Sequence, residues 1–363
     1  MKILHVAETI KGGIATVLNQ LIAYQTKQDT VVLLIPDSQC EHIKNIDKYD
    51  CFLFKRTGRN IASFFSLLVS FIRVFCKEKP DIVHLHSSFA GVICRIMLIF
   101  LYPFQRTKVV YCPHAFSFLM TTSINKRRLY VFIERLMQIV TNKIICVSQY
   151  EYDQSVNYGL SKNKLVMIYN GVPQWNKDLD TVKNPYPINS KINLLFIGRF
   201  DYQKGFDILL DSMPNLANCH LTAIGDFVND EAIINDTNMH KYDNISFKGW
   251  MTHQQIIPYL FYCDAVIVPS RWEGFAIVPL EAMSYSKAII AANTTSLPEV
   301  VENGITGYLF SINQRDSLVK LLLQLDKENL KALGENGFYK YKKNFTDANM
   351  LNNVELLYKK MKS

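Results

Sequence analysis

Two glutamates stand eight positions apart in "RWEGFAIVPLEAM", residues 271 to 283: Glu273 sits beside Gly274 and Phe275, and Glu281 lies in the helical run that follows. The segment comes directly after the apolar run "AVIVPS", so both carboxylates belong near a strand's exit. Ionised carboxylates only accept hydrogen bonds, and such a pair suits a polyhydroxylated ligand, one taking sugar hydroxyls and the other the vicinal hydroxyls of a ribose. Upstream, "FIGRFDYQKGFDILL" reads as a strand running into a helix, with Arg199 in the loop and Lys204 at the helix start. Two cations and several free backbone N–H groups converge there, at the positive end of a helix dipole. That is enough positive charge to neutralise a diphosphate leaving group without a metal.

The first half of the chain carries weaker signals. "ETIKGGIATVLNQL" ends a first strand with Gly12 and Gly13 before a helix, which lets the backbone approach an anionic ligand closely but lacks the Gly-x-Gly-x-x-Gly dinucleotide spacing. "YCPHAFSF" puts His114 just past a strand, at the edge where open α/β sheets bind ligands. His84 and His86 in "IVHLHSS" alternate along one strand and face the same side. They read as structural or cleft-lining, because no third metal ligand is evident.

These residues need a scaffold that delivers loops to one edge. Eleven short apolar runs recur: "KILHVAE", "TVVLLIPD", "DIVHLHS", "KVVYCPHA", "KIICVS", "KLVMIYN", "INLLFIGRF", "HLTAIGD", "ISFKGW", "AVIVPS" and "AIIAANT". Segments of helical period separate most of them, which indicates parallel sheets covered on both faces. Eleven strands over 363 residues fit two Rossmann-like domains better than one sheet. The aperiodic, Pro-containing stretch "NGVPQWNKDLDTVKNPYPINSK" places a first domain at residues 1–170, a hinge at 171–190 and a second domain at 191–345. A last helical pattern, 346–363, either caps the second domain or crosses back to the first; spacing leaves both open.

Composition is that of a globular protein, 49% apolar and 20% charged, with no repeat. The eight scattered cysteines read as thiols of a reducing cytoplasm. The start has no signal-peptide core, and the greasiest stretch, "IASFFSLLVSFIRVFC", is broken by Ser63, Ser66, Ser70, Arg73 and Lys77 at helical spacing, so no membrane span is expected. Residues 1–170 hold 21 Lys+Arg against 11 Asp+Glu, the remainder 19 against 21, and the whole chain is +8. A basic half implies an anionic partner, but no nucleic-acid recognition module accompanies it.

"GRFDYQKGFDILL", "VPSRWEGFAIVPLEAMSYSKAIIAANTTSLPEVVENGITGYLF" and "IYNGV" together resemble the family-four retaining glycosyltransferases of GT-B type, most clearly from 192 to 310. In the first domain the resemblance rests on Gly12-Gly13, "PHAFSF", "ICVSQYE" and the Asn170-Gly171-Val172 turn. It implies two Rossmann-like domains facing across a cleft. It also implies transfer, with retention, of a hexose from a nucleotide diphosphate sugar (UDP in preference to GDP) to a lipid-linked saccharide, in polysaccharide, O-antigen or lipopolysaccharide assembly. Arg199 and Lys204 would hold the donor diphosphate and Glu281 the ribose, while Glu273 with the backbone of Gly274 and Phe275 would hold the sugar. His114 would reach the sugar from the first domain, Gly12 and Gly13 would approach the phosphates, and the base would lie near Lys248 to Met251. The family's last helix commonly crosses back to the first domain. No metal or other cofactor is expected.

Three positions depart from the family's glycines: Ala115, Phe227 and Ala276, each adding a side chain near the site. The Asp-x-Asp of metal-dependent transferases occurs only as Asp178 and Asp180 in the hinge, where it reads as solvated charge. Two rival classes are a nicotinamide-dependent oxidoreductase, which needs the missing glycine fingerprint, and a catalytically silent nucleotide-sugar-binding subunit, against which Glu273 and His114 count. In "INKRRLYVFIERLMQIV" the apolar residues Leu129, Phe132, Ile133, Leu136, Met137 and Val140 share a helical face, expected to pack on the sheet, and Lys126, Arg127, Arg128 and Arg135 lie close by. Those cations suggest a cytoplasmic protein resting peripherally on the anionic inner face of the cell membrane.

Overall fold

The computed structural model describes residues 1–101, 107–174, 182–187, 191–227, 243–314 and 316–362. Asp178 and Asp180, and much of the predicted hinge, lie outside the described residues. The chain folds as two compact units, Met1–Gly171 with Asp347–Ser363, and Val172–Thr346.

The first unit runs β1 (Lys2–Ala7), α1 (Gly13–Gln25), β2 (Thr30–Pro36), β3 (Asp50–Phe54), α2 (Ile61–Glu78), β4 (Ile82–His86), α3 (Ser88–Leu101), β5 (Lys108–Cys112), α4 (Ile124–Met137), β6 (Lys143–Cys146), α5 (Gln149–Asn157) and β7 (Leu165–Met167). Its seven strands are parallel, in the order β3-β2-β1-β4-β5-β6-β7. The second unit runs β8 (Ile192–Ile197), α6 (Phe206–Ser212), β9 (Cys219–Ile224), β10 (Ile245–Phe247), α7 (His253–Tyr262), β11 (Ala265–Val268), α8 (Ile277–Ser284), β12 (Ala288–Ala292), α9 (Leu297–Val300), β13 (Gly307–Phe310), α10 (Ser317–Leu323) and α11 (Lys327–Asn344). Its six parallel strands follow the order β10-β9-β8-β11-β12-β13. In each sheet the winding reverses once, between β1 and β4 and between β8 and β11, and there adjacent loops diverge at the strands' carboxyl ends.

Every one of the eleven apolar runs forms a strand. β3 and β13 were not foreseen: both are edge strands, and β3 is only partly buried, with Leu53 turned outward, so neither carries a long apolar run. Helix starts follow the expected chemistry. Asn60 accepts from Ser63 N at 2.9 Å, Ser148 from Glu151 N at 3.1 Å, and Thr252 with Gln255 forms a capping box. Among the described residues no helix is long and apolar enough to cross a membrane.

The last helix, α12 (Asp347–Lys362), packs in the first unit against α1, where the Tyr24 hydroxyl bonds Glu355 at 2.5 Å. Its apolar side, including Val354, Leu357 and Tyr358, is buried.

The expectation that the apolar face of α4 packs on the sheet is corrected. Leu129, Phe132 and Leu136 are exposed, while Glu134 and Met137 face inward. The cause is a buried ion pair: Arg95 of α3 donates from Nη2 to Glu134 at 2.8 Å and from Nε to the Gly91 carbonyl at 2.8 Å. The Tyr111 hydroxyl donates to the other Glu134 oxygen at 3.0 Å, and its ring lies under the guanidinium at 3.9 Å. Gly91 makes room, since a Cβ there would come within 2.4 Å of the Tyr111 ring. The pair turns α4 so that its leucines and phenylalanine point outward. In α2 the polar stripe is not uniformly outward, since Ser63 is buried while Phe65 is exposed.

Replacing Arg95 by Met should lower unfolding stability by about 3–5 kcal/mol in urea titrations, because Glu134 is left buried and unpaired. The double change Arg95→Met, Glu134→Leu should recover part of that loss; equal stability of the single variant and the wild type would show that the pair does not orient α4.

Candidate active site

In the second unit the loop after β8 and the loop after β11 flank the point where winding reverses. Gly205 brings them together. At φ +66°, it sits so close to the β11 loop that a Cβ would lie 2.1 Å from the Pro269 carbonyl oxygen. The preceding residue, Lys204, therefore reaches across, and its Nζ meets Glu273 Oε1 at 2.6 Å. Lys204 N donates to Asp201 at 2.8 Å, while Glu273 N donates to Thr295 Oγ1 at 3.0 Å. Arg199 donates to Gln203 at 2.7 Å and lies 3.1 Å from Asp201, with its side chain still 41% exposed. The two cations expected at a phosphate site are present at one edge, but each already has an anionic or amide partner.

Lys204 precedes α6 instead of opening it, since Gly205 is the capping residue. Arg271, unremarked in the sequence, locks the β11 loop down with two bonds to Asp207, at 2.7 and 2.6 Å, and stacks 3.8 Å over Tyr202. Gly274 and Phe275 are buried between Glu273 and α8. Glu281, in the second turn of α8, is buried, and burial pushes its carboxyl up to about 7. Its neighbour is His253 at the start of α7, with Nδ1 3.8 Å from Glu281 Oε1. Sequence reading stopped at Met251 and missed that histidine, although the capping pair Thr252 and Gln255 marks the helix start that carries it.

Gly225 and Gly198, after β9 and β8, approach so tightly that a Cβ on Gly225 would lie 1.8 Å from the Gly198 carbonyl oxygen. Gly225 N also bonds the Gly249 carbonyl at 2.9 Å, which brings the loop of Lys248 to Met251 to the same edge. Phe227 stacks edge-on against Phe200 at 5.2 Å. Ala276 caps α8 at φ −68°, a conformation that needs no glycine. Ala115 differs: at φ +153° it occupies a region that favours glycine, and His114 beside it has φ +57°.

The first unit has its own carboxyl edge. Gly12, at φ 56° and ψ −132°, caps α1 in a conformation open to glycine, with Gly13 as the first helical residue. Glu151 of α5 steadies the His114 loop, its carboxylate accepting from Phe116 N at 3.0 Å and Val147 N at 2.8 Å. The third nitrogen ligand that the sequence did not reveal is His5, on β1. Register pairs His5 with His84, so one nitrogen from each of His5, His84 and His86 lies within 4.8 Å of the others. His5 Nδ1 and His86 Nε2 are, however, 3.0 Å apart and hydrogen-bonded to each other. One of these nitrogens therefore carries the proton and the other spends its lone pair on it, which favours a hydrogen-bond network over a metal centre.

Residues 11–174 match the family described as Glycosyltransferase Family 4, and residues 178–340 match Glycosyl transferases group 1. An uncharacterised 41.2 kDa protein of a cps region in Klebsiella pneumoniae is 37% identical over 99% of both chains. The Escherichia coli UDP-Gal:alpha-D-GlcNAc-diphosphoundecaprenol alpha-1,3-galactosyltransferase is 26% identical over 86% of this chain and 84% of its own. The structure of Anabaena HepE with UDP and glucose superposes with a TM-score of 0.81, over 99% of this chain and 100% of that one, at 17% identity. That last likeness is one of fold.

Proposed function

The chain belongs to the glycosyl transferases group 1 family, of the surface-polysaccharide kind, and from that premise we propose that it moves a hexose from a UDP-sugar, with retention, onto a lipid-linked saccharide. The observation that carries the reading is the 2.6 Å contact between Lys204 Nζ and Glu273 Oε1. In a nucleotide diphosphate sugar the diphosphate and the sugar are bonded neighbours. A cation and a carboxylate held in contact offer one partner to each: Lys204 and Arg199 to the phosphates, Glu273 with the backbone of Gly274 and Phe275 to the sugar hydroxyls. In the free protein the pair neutralises itself. Donor binding would exchange that bond for two.

As the C1–O bond to the diphosphate breaks, negative charge grows on the leaving group, where Arg199 and Lys204 stabilise it. The acceptor oxygen forms its bond to C1 as its proton passes to an oxygen of the departing diphosphate. Glu281 is assigned to the ribose, His114 to a sugar hydroxyl, and Gly12 and Gly13 to close backbone approach. The name of the E. coli protein supports a UDP donor and a diphosphate-lipid acceptor. Two fixed cations make a metal unnecessary in this scheme.

The basic first unit would bring the enzyme to its lipid acceptor at an anionic membrane. α2, α3 and α4 lie side by side, and Phe65, Phe100 and Phe132 on them are 66%, 69% and 64% exposed. Lys126 and Arg128 are exposed beside them, while Arg127 is half-buried. Apolar rings with flanking cations suit an interface in which rings enter the headgroup layer and each cation contributes about 1 kcal/mol.

Incubation with UDP-hexoses and a lipid-diphosphate sugar should give transfer that survives EDTA; loss in EDTA reversed by magnesium or manganese would reject the metal-free scheme. Free UDP binding should depend on Glu281 ionisation. Its two oxygens both accept from the vicinal ribose hydroxyls only when deprotonated, so the Kd should rise as the pH falls below about 7 and level off above it, and Glu281→Gln should flatten the profile. A wild-type Kd constant from pH 5.5 to 8 would remove Glu281 from the nucleotide site. In vesicle sedimentation, Phe132→Ser and the pair Lys126→Glu, Arg128→Glu should each reduce binding to anionic vesicles; wild-type binding no stronger than to neutral vesicles would end the membrane proposal.

A further inference from the structure

Beneath the His114 loop, four histidines, one glutamine and one tyrosine gather in one cluster. Gln25, the last residue of α1, faces His5 Nε2 with Oε1 at 2.7 Å. His5 Nδ1 meets His86 Nε2 at 3.0 Å, and His86 Nδ1 meets His114 Nε2 at 3.0 Å. At the other end Tyr358 of α12 places its hydroxyl 2.6 Å from His84 Nδ1, and the Gln25 side chain is near enough to the Tyr358 hydroxyl to favour its charged form. His5, His84 and His86 are fully buried, and His114 is half-buried.

A neutral imidazole has one N–H and one lone pair, so each link dictates the next. Burial keeps all four neutral, pushing His5 and His114 down to about 4 and the other two well below their usual value. The chain then has only two consistent polarities, and the end formed by Gln25 and Tyr358 selects between them. Gln25 already turns Oε1 to His5 Nε2, and the matching arrangement at the 2.6 Å contact has the Tyr358 hydroxyl donating to His84 Nδ1. The phenolic oxygen is left to accept, which requires Gln25 to turn its NH2 toward Tyr358 and its carbonyl toward His5. His5 must then carry its proton on Nε2. Its bare Nδ1 requires the proton of His86 on Nε2, and the bare Nδ1 of His86 requires the proton of His114 on Nε2.

We propose that Gln25 and Tyr358 are positioning residues which, through His5 and His86, fix His114 as the Nε2–H tautomer, so that its Nδ1 lone pair accepts a hydroxyl of a sugar substrate. The last clause rests on the glycosyltransferase reading of the site; the tautomer assignment does not. The reversed polarity would present an N–H from His114 and would repel a hydroxyl proton that the opposite tautomer receives. The hydroxyl could belong to the donor or the acceptor sugar, and kinetics separate the two.

Long-range 1H–15N correlation spectra of the full-length wild-type protein labelled at histidine should show His5, His84, His86 and His114 all protonated at Nε2. An Nδ1–H signal from His86 or His114 would overturn the proposal whatever the activity. Tyr358→Phe removes the polarity-setting proton and Gln25→Met removes the relay's first acceptor. Each should produce a mixed tautomer at His114 and lower kcat/KM about tenfold, with the Kd for free UDP unchanged. A raised KM for the nucleotide sugar would assign the hydroxyl to the donor, and a raised KM for the lipid-linked saccharide would assign it to the acceptor. Wild-type kcat and KM values in both variants would overturn the positioning role. Transfer unaffected by His114→Ala would instead reject the site reading itself, an outcome distinguishable because the spectra do not depend on turnover.

Discussion

Both units depend on one constraint: parallel strands must all deliver their loops to the same edge, and a sheet wound outward in two directions must reverse once. At β8 and β11 the reversal opens a gap that only backbone can bridge, and Gly205 against Pro269 closes it. The contact of Lys204 with Glu273 follows from that closure, because the two side chains belong to loops 69 residues apart that no other strand separates. At β1 and β4 the reversal places His5 beside His84, and in this unit the gap is floored with imidazoles. The same topological event yields a charged site in one unit and a neutral hydrogen-bonded one in the other.

Much of this was legible because parallel strands are apolar throughout and therefore visible as runs. The exceptions are physical: β3 and β13 bury too little at their sheet edges to need such runs. Arg199, Lys204, Glu273 and Glu281 were found as types at strand exits, but their pairing was not, since nothing in linear spacing says that Lys204 and Glu273 touch. His5 escaped notice because it meets His84 only through strand register. The face of α4 was misread because hydrophobic periodicity finds the apolar stripe without saying which way it points; the orientation is set by Glu134, a single polar residue on the opposite side, whose partner Arg95 lies 39 positions away.

The two units handle charge in opposite ways. In the second, ions face ions at the surface of a site: Lys204 with Glu273, Arg271 with Asp207, Arg199 with Asp201. Of these, Arg199 is the one with a side chain substantially open to solvent, at 41%. In the first unit, Arg95 and Glu134 are buried and committed, and the histidines are held uncharged. That arrangement resists exchange and favours fixed geometry.

The return of α12 to the first unit has a temporal consequence. A ribosome releases residues 1–171 long before Tyr358, and in that interval α1 lacks the helix that covers it and Gln25 lacks the group that orients its amide. The nascent first unit can pair its strands, but its histidine floor is completed only when the entire second unit has been synthesised. The order of synthesis thus makes the first unit's finished state a report that the second has been made in full, and a prematurely terminated chain would carry an unset His114.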